Sequence, residues 1–296
     1  MEYHIKTYRI LSLVISLQIY IGIAKEHPLY QIATRSIHKP IISEGICTKS
    51  IGEGNNLIEH SVTYKSKCEG DGHGPKLEYE TDGTPYLTFK TSGKEEAGYM
   101  PKSRTELAIT DPKRPYFQFG KDYYIGFKLK IPDSSAAVAI NNSFYIFQLW
   151  QCSGASPIAG LRLSPSDKYT DNSTTNINFM TRGDFSEGST VHFNIKNDKW
   201  IHFIVKVNVN PRKGRGQLTV WKNINEVKVE TNTSFGYFNK GICTKGKRPP
   251  QHFRVKFGIY KNFEKNKNFI INYSNFVVGD TFDSVIIPSE NRSSFK

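Results

Sequence analysis

The chain has 296 residues, of which 38 % are apolar and 13 % aromatic, and its formal charge is +13. Such a length holds one large domain or two small ones with an ample core, which excludes a disordered polyelectrolyte. The excess of positive charge suits a polyanionic partner: nucleic acid, an acidic polysaccharide or an anionic membrane surface.

The N-terminus narrows these classes. His4, Lys6 and Arg9 precede an apolar run from Ile10 to Ala24, the layout of a secretory signal peptide cut near Ala24. Ser12, Ser16 and Gln18 interrupt the run and make it a poor permanent anchor, so a signal-anchor helix is the lesser reading. No second apolar stretch is long enough to span a bilayer, and stable membrane insertion is not expected. Residues 25–44 lead into the domain.

Alternation of apolar and polar residues then marks one strand after another. His60–Lys65 is the first. A Gly-rich turn with Gly70, Gly72, Gly74 and Pro75 follows, without the helix or Lys-Ser/Thr of a phosphate loop. Tyr86–Thr91 and Ser103–Ile109 alternate clearly. In the second, Leu107 and Ile109 share one face, while Arg104, Glu106 and Ala108 share the other. Lys121–Ile131 is a long strand with Tyr123, Ile125, Phe127, Leu129 and Ile131 facing the core. Ser143–Gln151 is almost continuously apolar and is expected to be buried on both faces, so the amide of Gln148 must find partners there. Short strands are expected at Ile158–Leu163, Thr175–Thr181 and His192–Ile195. Lys199–Val209 and Gln217–Trp221 form a hairpin about Gly214–Gly216. Arg254–Lys261, Phe269–Tyr273 and a run near Val277 close the set.

About a dozen strands and no helical period predict an all-β sandwich or barrel. One domain spans residues 45–290, followed by a tail at 291–296. Four cysteines, Cys47, Cys68, Cys152 and Cys243, suit disulfides in an oxidising compartment. Three pairings are open; Cys47–Cys68, which closes a short loop, with Cys152–Cys243 is preferred. No CxxC pair is present, so a thiolate zinc site is not expected. Five sequons begin at Asn141, Asn172, Asn232, Asn272 and Asn291. A secreted address weakens the nucleic-acid class.

Three stretches carry a resemblance. Arg104-Thr105-Glu106-Leu107 resembles the Arg-X-Glu-Leu strand of the jelly-roll polysaccharide lyases, which include alginate, glucuronan and heparin-lyase-like members. Phe147-Gln148-Leu149-Trp150 resembles their Gln-X-His strand, and Lys256–Asn262 their Lys-X-Gly-X-Tyr strand. Between them, Trp200-Ile201-His202-Phe203 and Gly216–Trp221 are similar to a hairpin of the same group. The motifs occur in the family's order over residues 80–280. The resemblance implies a concanavalin A-like β-jelly-roll sandwich of antiparallel sheets, with a concave groove for a uronic-acid polymer. It also implies β-elimination, in which the proton on C5 leaves and the 4-O-glycosidic bond breaks.

On this reading Arg104 and Gln148 neutralise the uronate carboxylate as charge develops, and Tyr260 serves as general base and then general acid. Glu106, Trp150, Lys256 and Arg162 are assigned to substrate binding. The chain departs from the family pattern at Trp150, which stands where a catalytic His is usual, and indole cannot take a proton. Tyr260 alone, or His192 or His202, then supplies the base; otherwise the protein is a lectin-like module that only binds acidic glycans, with Trp150 as a platform. A structural glycoprotein is the third reading. No cofactor is called for, although a structural calcium is left open, and a monomer is expected.

Overall fold

In the computed structural model two antiparallel sheets pack face to face. The structure describes residues 30–32, 53–59, 62–69, 74–91, 102–110, 117–136, 144–151, 157–163, 173–182, 190–210, 215–224, 226–233, 252–262 and 267–286. Of these, 30–32, 53–59, 62–69 and 226–233 are described by backbone alone. The signal segment, the tail, Cys47, Cys152, Cys243 and the sequons at Asn141, Asn172 and Asn291 lie outside the described residues.

The strands in chain order are β1 (Tyr30–Ile32), β2 (Glu53–Glu59), β3 (Val62–Glu69), β4 (Lys76–Tyr79), β5 (Pro85–Thr91) and β6 (Lys102–Thr110). Next come β7 (Phe117–Gln118), β8 (Asp122–Lys130), β9 (Phe144–Trp150), β10 (Ala159–Leu163), β11 (Thr174–Thr181) and β12 (Thr190–Lys196). β13 (Ile201–Asn208), β14 (Gly216–Lys222), β15 (Glu226–Thr233), β16 (His252–Asn262) and β17 (Phe269–Gly279) complete the set. The front sheet runs β12-β11-β10-β9-β16-β6-β3-β2 with β7 beside β16. The back sheet runs β15-β14-β13-β8-β17-β5-β4 with β1 beside β17. The fold is therefore the expected jelly-roll sandwich.

Five strands escape the sequence reading: β1, β2, β4, β7 and β15. β1, β4 and β7 have four residues or fewer, and β2 ends its sheet. β15 alternates Val227 and Val229 with Glu226, Lys228 and Glu230, the pattern of a charged edge strand. β17 is one strand where two were expected; a register shift between Ser274 and Val277, with Asn275 at φ 51°, carries the pairing past the break. Asn272 sits within that strand, paired with both β5 and β8 and 5 % exposed. This sequon is unavailable to a glycan in the folded chain, and that assignment is withdrawn.

The core is built from aromatic rings of both sheets. Phe257 of the front sheet stacks on Phe276 of the back sheet at 4.1 Å between centroids. Phe127 lies 5.6 Å from Phe147 and 5.7 Å from Phe276. Burying each such ring contributes about 2 kcal/mol, with somewhat more from ring geometry. The Tyr273 hydroxyl crosses the sandwich and donates to the Ile146 carbonyl at 2.6 Å. Burial, with Glu106 nearby, holds that phenol well above its usual range, so it remains a neutral structural donor. Register shifts at Leu161/Arg162 and Phe257/Tyr260 interrupt the regular pairing of β9 with its two neighbours in the front sheet. Among the described residues no helix is long and apolar enough to cross a membrane, and no three His, Cys, Asp or Glu side chains gather as metal ligands.

Candidate active site

Strand register on the front sheet brings the distant motifs together. Arg104 of β6 is opposite Tyr260 of β16, which is opposite Tyr145 of β9. The row continues through Arg162 of β10, Asn178 of β11 and His192 of β12. A parallel row holds Ala108, Lys256, Gln148, Gly160 and Met180. Alternation sends Leu107, Phe147, Leu149, Phe257 and Ile259 into the core, so these rows occupy the opposite face of the sheet, where Arg104, Tyr260, Tyr145 and Arg162 are part-exposed and the second row is buried.

Glu106 is the centre of the arrangement. It is 2 % exposed, and its Oε1 accepts a short hydrogen bond from Gln148 Nε2. Its Oε2 lies 3.2 Å from Arg104 Nε, an ion pair in which the N–H is not aligned on the oxygen. A buried carboxylate is costly unless paired, so the two contacts stabilise each other. The carboxylate only accepts, which compels the amide nitrogen of Gln148, rather than its oxygen, to face it. Glu106 thus holds both Arg104 and Gln148 in place, and it is as deeply buried as Gln148.

The Gln148–Glu106 bond spans two strand spacings, and it crosses β16 at Gly258, where no side chain stands. Gly258 has φ +125°, and a Cβ there would lie 2.3 Å from the Thr105 carbonyl and 2.8 Å from Phe89 Cδ1. Only glycine fits. The Gly in the Lys-X-Gly-X-Tyr stretch therefore shapes both the bulge and the site.

Tyr260 is half-buried, with the Arg104 guanidinium 4.2 Å from its ring centroid. Trp150 lies at the other end of β9, also half-buried. Lys256 Nζ is 4.4 Å and Arg254 Cζ 5.5 Å from its ring, which makes a cationic aromatic plate. The strand carrying Gln148 and Trp150 is buried on its core side, and on its other face Gln148 is buried as expected, between the half-buried Tyr145 and Trp150.

The histidines do not join Tyr260. His192 is exposed on β12, four strands from β16, or about 19 Å. His202 is on β13 of the back sheet, opposite Lys128, with Phe203 beside it turned to the core. Burial, then the Lys128 charge, pushes its pKa down to about 4. Both are set aside as bases for the Tyr260 site. Cys68 and Asn232 belong to β3 and β15, whose side chains are not described.

Tyr145 and Arg182 escaped the sequence reading. The Tyr145 ring lies over Gly160, where a Cβ would come within 2.7 Å of its Cδ1. Arg182 Nη2 donates to the Tyr145 hydroxyl at 3.1 Å, and the Arg162 guanidinium is 5.3 Å from its ring centroid. Tyr145 reads as one more aromatic in an apolar run, two residues from core-facing Phe147, and Arg182 sits beyond the end of its strand; the register shift that leaves Ile146 without a partner on β10 turns Tyr145 to the other face, and no local spacing signals it.

The family model for polysaccharide lyases matches residues 48–277. The chain belongs to the polysaccharide lyase family. No curated protein is significantly similar to it. Among solved structures it is similar to an endo-β-1,4-glucuronan lyase from the fungus Trichoderma reesei, at 15 % identity and TM-score 0.49, over 82 % of this chain and 95 % of that one. It is also similar to an alginate lyase from Pseudomonas aeruginosa, at 15 % identity and TM-score 0.43, over 69 % and 86 %. A third, alginate lyase A1-II' of polysaccharide lyase family 7, gives 15 % and 0.46, over 69 % and 83 %. The matched region of the family model contains Arg104, Gln148 and Tyr260, and a polysaccharide is the substrate class.

Proposed function

We propose that this family member is a secreted lyase that cleaves an acidic, uronate-containing polysaccharide by β-elimination. The observation that carries the reading is the Arg104–Glu106–Gln148 group beside the part-exposed Tyr260 on one face of the front sheet. The proton on C5 of a uronate resists removal, because the resulting carbanion adjoins a negative carboxylate. Arg104 and the second Nε2–H of Gln148 meet that carboxylate and stabilise the enolate-like charge as it forms. Tyr260 as general base takes the C5 proton, the C4–C5 double bond forms, and the C4–O bond breaks. The resulting Tyr260 phenol returns its proton to the leaving oxygen. Trp150 and Lys256 hold a neighbouring sugar and its charge.

Secretion is supported by the N-terminal signal pattern and the remaining sequons, and an acidic substrate by the cations of this face of the front sheet. Incubation with alginate, glucuronan, heparin and hyaluronan, followed by absorbance of the 4,5-unsaturated product, tests the reading. Turnover abolished in Tyr260→Phe is the expected result. Silence of the wild type on every polymer overturns it. The cation-flanked Trp150 favours one alternative, an acidic-glycan lectin, which would display salt-sensitive binding without product.

A further inference from the structure

The non-core face of the front sheet holds a second organised group, built on Tyr145, the cross-strand neighbour of Tyr260, and extending away from it along β10 and β11. Tyr145 lies flat over Gly160, and its hydroxyl is pinned at both lone pair and proton. It accepts from Arg182 Nη2 at 3.1 Å and approaches Met180 Sδ at 3.5 Å. Arg182 is 8 % exposed, which limits the directions its guanidinium can take. Arg162 leans over the same ring, 5.3 Å from the centroid. One phenol therefore fixes two guanidiniums. Gly160 is required for it, since a Cβ would also lie 2.6 Å from the Phe147 carbonyl.

Arg162 is two strands from Tyr260 in the same row, or about 10 Å. An extended glycan running across the strands from Tyr260 meets it with a neighbouring sugar. We propose that Tyr145, Arg162 and Arg182 form a second anion-binding subsite, which grips the carboxylate or sulfate ester of a sugar beyond the one that reacts. Paired guanidinium forks match such oxyanions, and charge-assisted bonds of this kind are the strong ones. The subsite makes the protein read the spacing of acidic groups along the chain as well as the acid at the scission point. The inference deepens the lyase reading and rests on it only for the direction of the substrate.

The test compares kcat/KM on unsulfated uronate oligomers of increasing length, and on sulfated oligomers, for the wild type, Arg162→Gln and Tyr145→Phe. The wild type should prefer long oligomers. In Arg162→Gln the long-to-short ratio should fall roughly 10- to 100-fold, mainly through KM. Tyr145→Phe keeps the ring under Arg162 and removes one hydrogen-bond acceptor from Arg182, so its ratio should fall less. Near-ultraviolet circular dichroism establishes that each variant is folded. The series that loses its length preference identifies carboxylate or sulfate. An equal loss on all lengths, or none, overturns the subsite while the lyase reading stands. Should the wild type turn over nothing, calorimetry with long acidic oligomers and their carboxyl-reduced counterparts decides. Acid-dependent binding lost in Arg162→Gln upholds the subsite and removes the lyase; binding unaltered in the variant, or absent from the wild type, removes the subsite.

Discussion

Two clusters in this molecule are made of the same parts and do different work. On the non-core face of the front sheet, Arg104, Glu106 and Tyr260 bring together a cation, a carboxylate and an aromatic ring. On the back sheet, Lys130, Glu80, Trp200 and Tyr86 do likewise. Lys130 Nζ lies 4.8 Å from the Trp200 ring centroid and 5.2 Å from that of Tyr86. Both Lys130 and Trp200 Nε1 donate to Glu80 Oε1. The back cluster closes on itself, its ammonium held between two rings and a carboxylate. In the front cluster the carboxylate is buried below its partners and meets Arg104 through Nε, while the guanidinium carries four further N–H on its terminal nitrogens. Where the carboxylate sits decides the outcome. On the proposed reading, the buried anion of the front cluster orients Arg104 and Gln148 toward a ligand, whereas the part-exposed anion of the back cluster pairs with its own cation.

The largest separation of the two clusters should come from their phenols. Tyr260→Phe should lower turnover by about 10²- to 10⁴-fold while binding to acidic oligomers persists in calorimetry. Tyr86→Phe should leave turnover at the wild-type level. Loss of activity in both would erase the distinction.

Next come the carboxylates. Glu106→Gln lets the Gln148 amide rotate and removes the ion partner of Arg104, so kcat should fall roughly 10²-fold. Partial recovery in Glu106→Asp is expected, as only an anion defines the orientation. Glu80→Gln should act on stability alone, by about 1 kcal/mol or less, as for other partly exposed pairs; urea unfolding measures it.

Acid sharpens the contrast on the back sheet. His202 has its pKa depressed to about 4 by burial and Lys128. Between pH 6.5 and 4 the unfolded chain binds this proton and the folded chain does not. Stability is therefore complete above pH 6.5 and declines toward pH 4, by on the order of 3 kcal/mol. The thermal midpoint of His202→Gln should vary less with pH over that window. Glu80 is held below its ordinary value by the Lys130 hydrogen bond, so its contribution is present above pH 4.5 and fades at lower pH. A wild-type midpoint that is flat from pH 6.5 to 4 would contradict the burial of His202.

The smallest effect concerns the plate. Trp150→Phe keeps an aromatic ring under Lys256 and Arg254 and should raise KM only a few-fold, whereas Trp150→His tests the family pattern directly. A large gain of turnover in Trp150→His would mean that this position, rather than Tyr260 alone, governs the proton transfer.

Much of this molecule was legible in its residue order. Period-2 alternation gave the inward faces of β6, β8 and β16, because a core of this kind admits apolar side chains at every second position only. Arg104, Gln148 and Tyr260 could be named from three separated stretches, and Gln148 could be expected to find a partner. The identity of that partner could not. Glu106 and Gln148 lie on strands separated by β16, and no local spacing encodes a bond across an intervening strand. The same holds for the histidines: His192 and His202 are plausible bases as letters, and only sheet order sends one to a distant edge and the other to the back. Alternation told which side of its own strand a residue takes where the strand is regular, as in β6 and β8, and failed where a register shift intervenes, as at Tyr145. Which strands lie side by side, in which register, and over which glycine a side chain passes was decided by the closed packing of two sheets, where long-range pairing is set by the whole core at once.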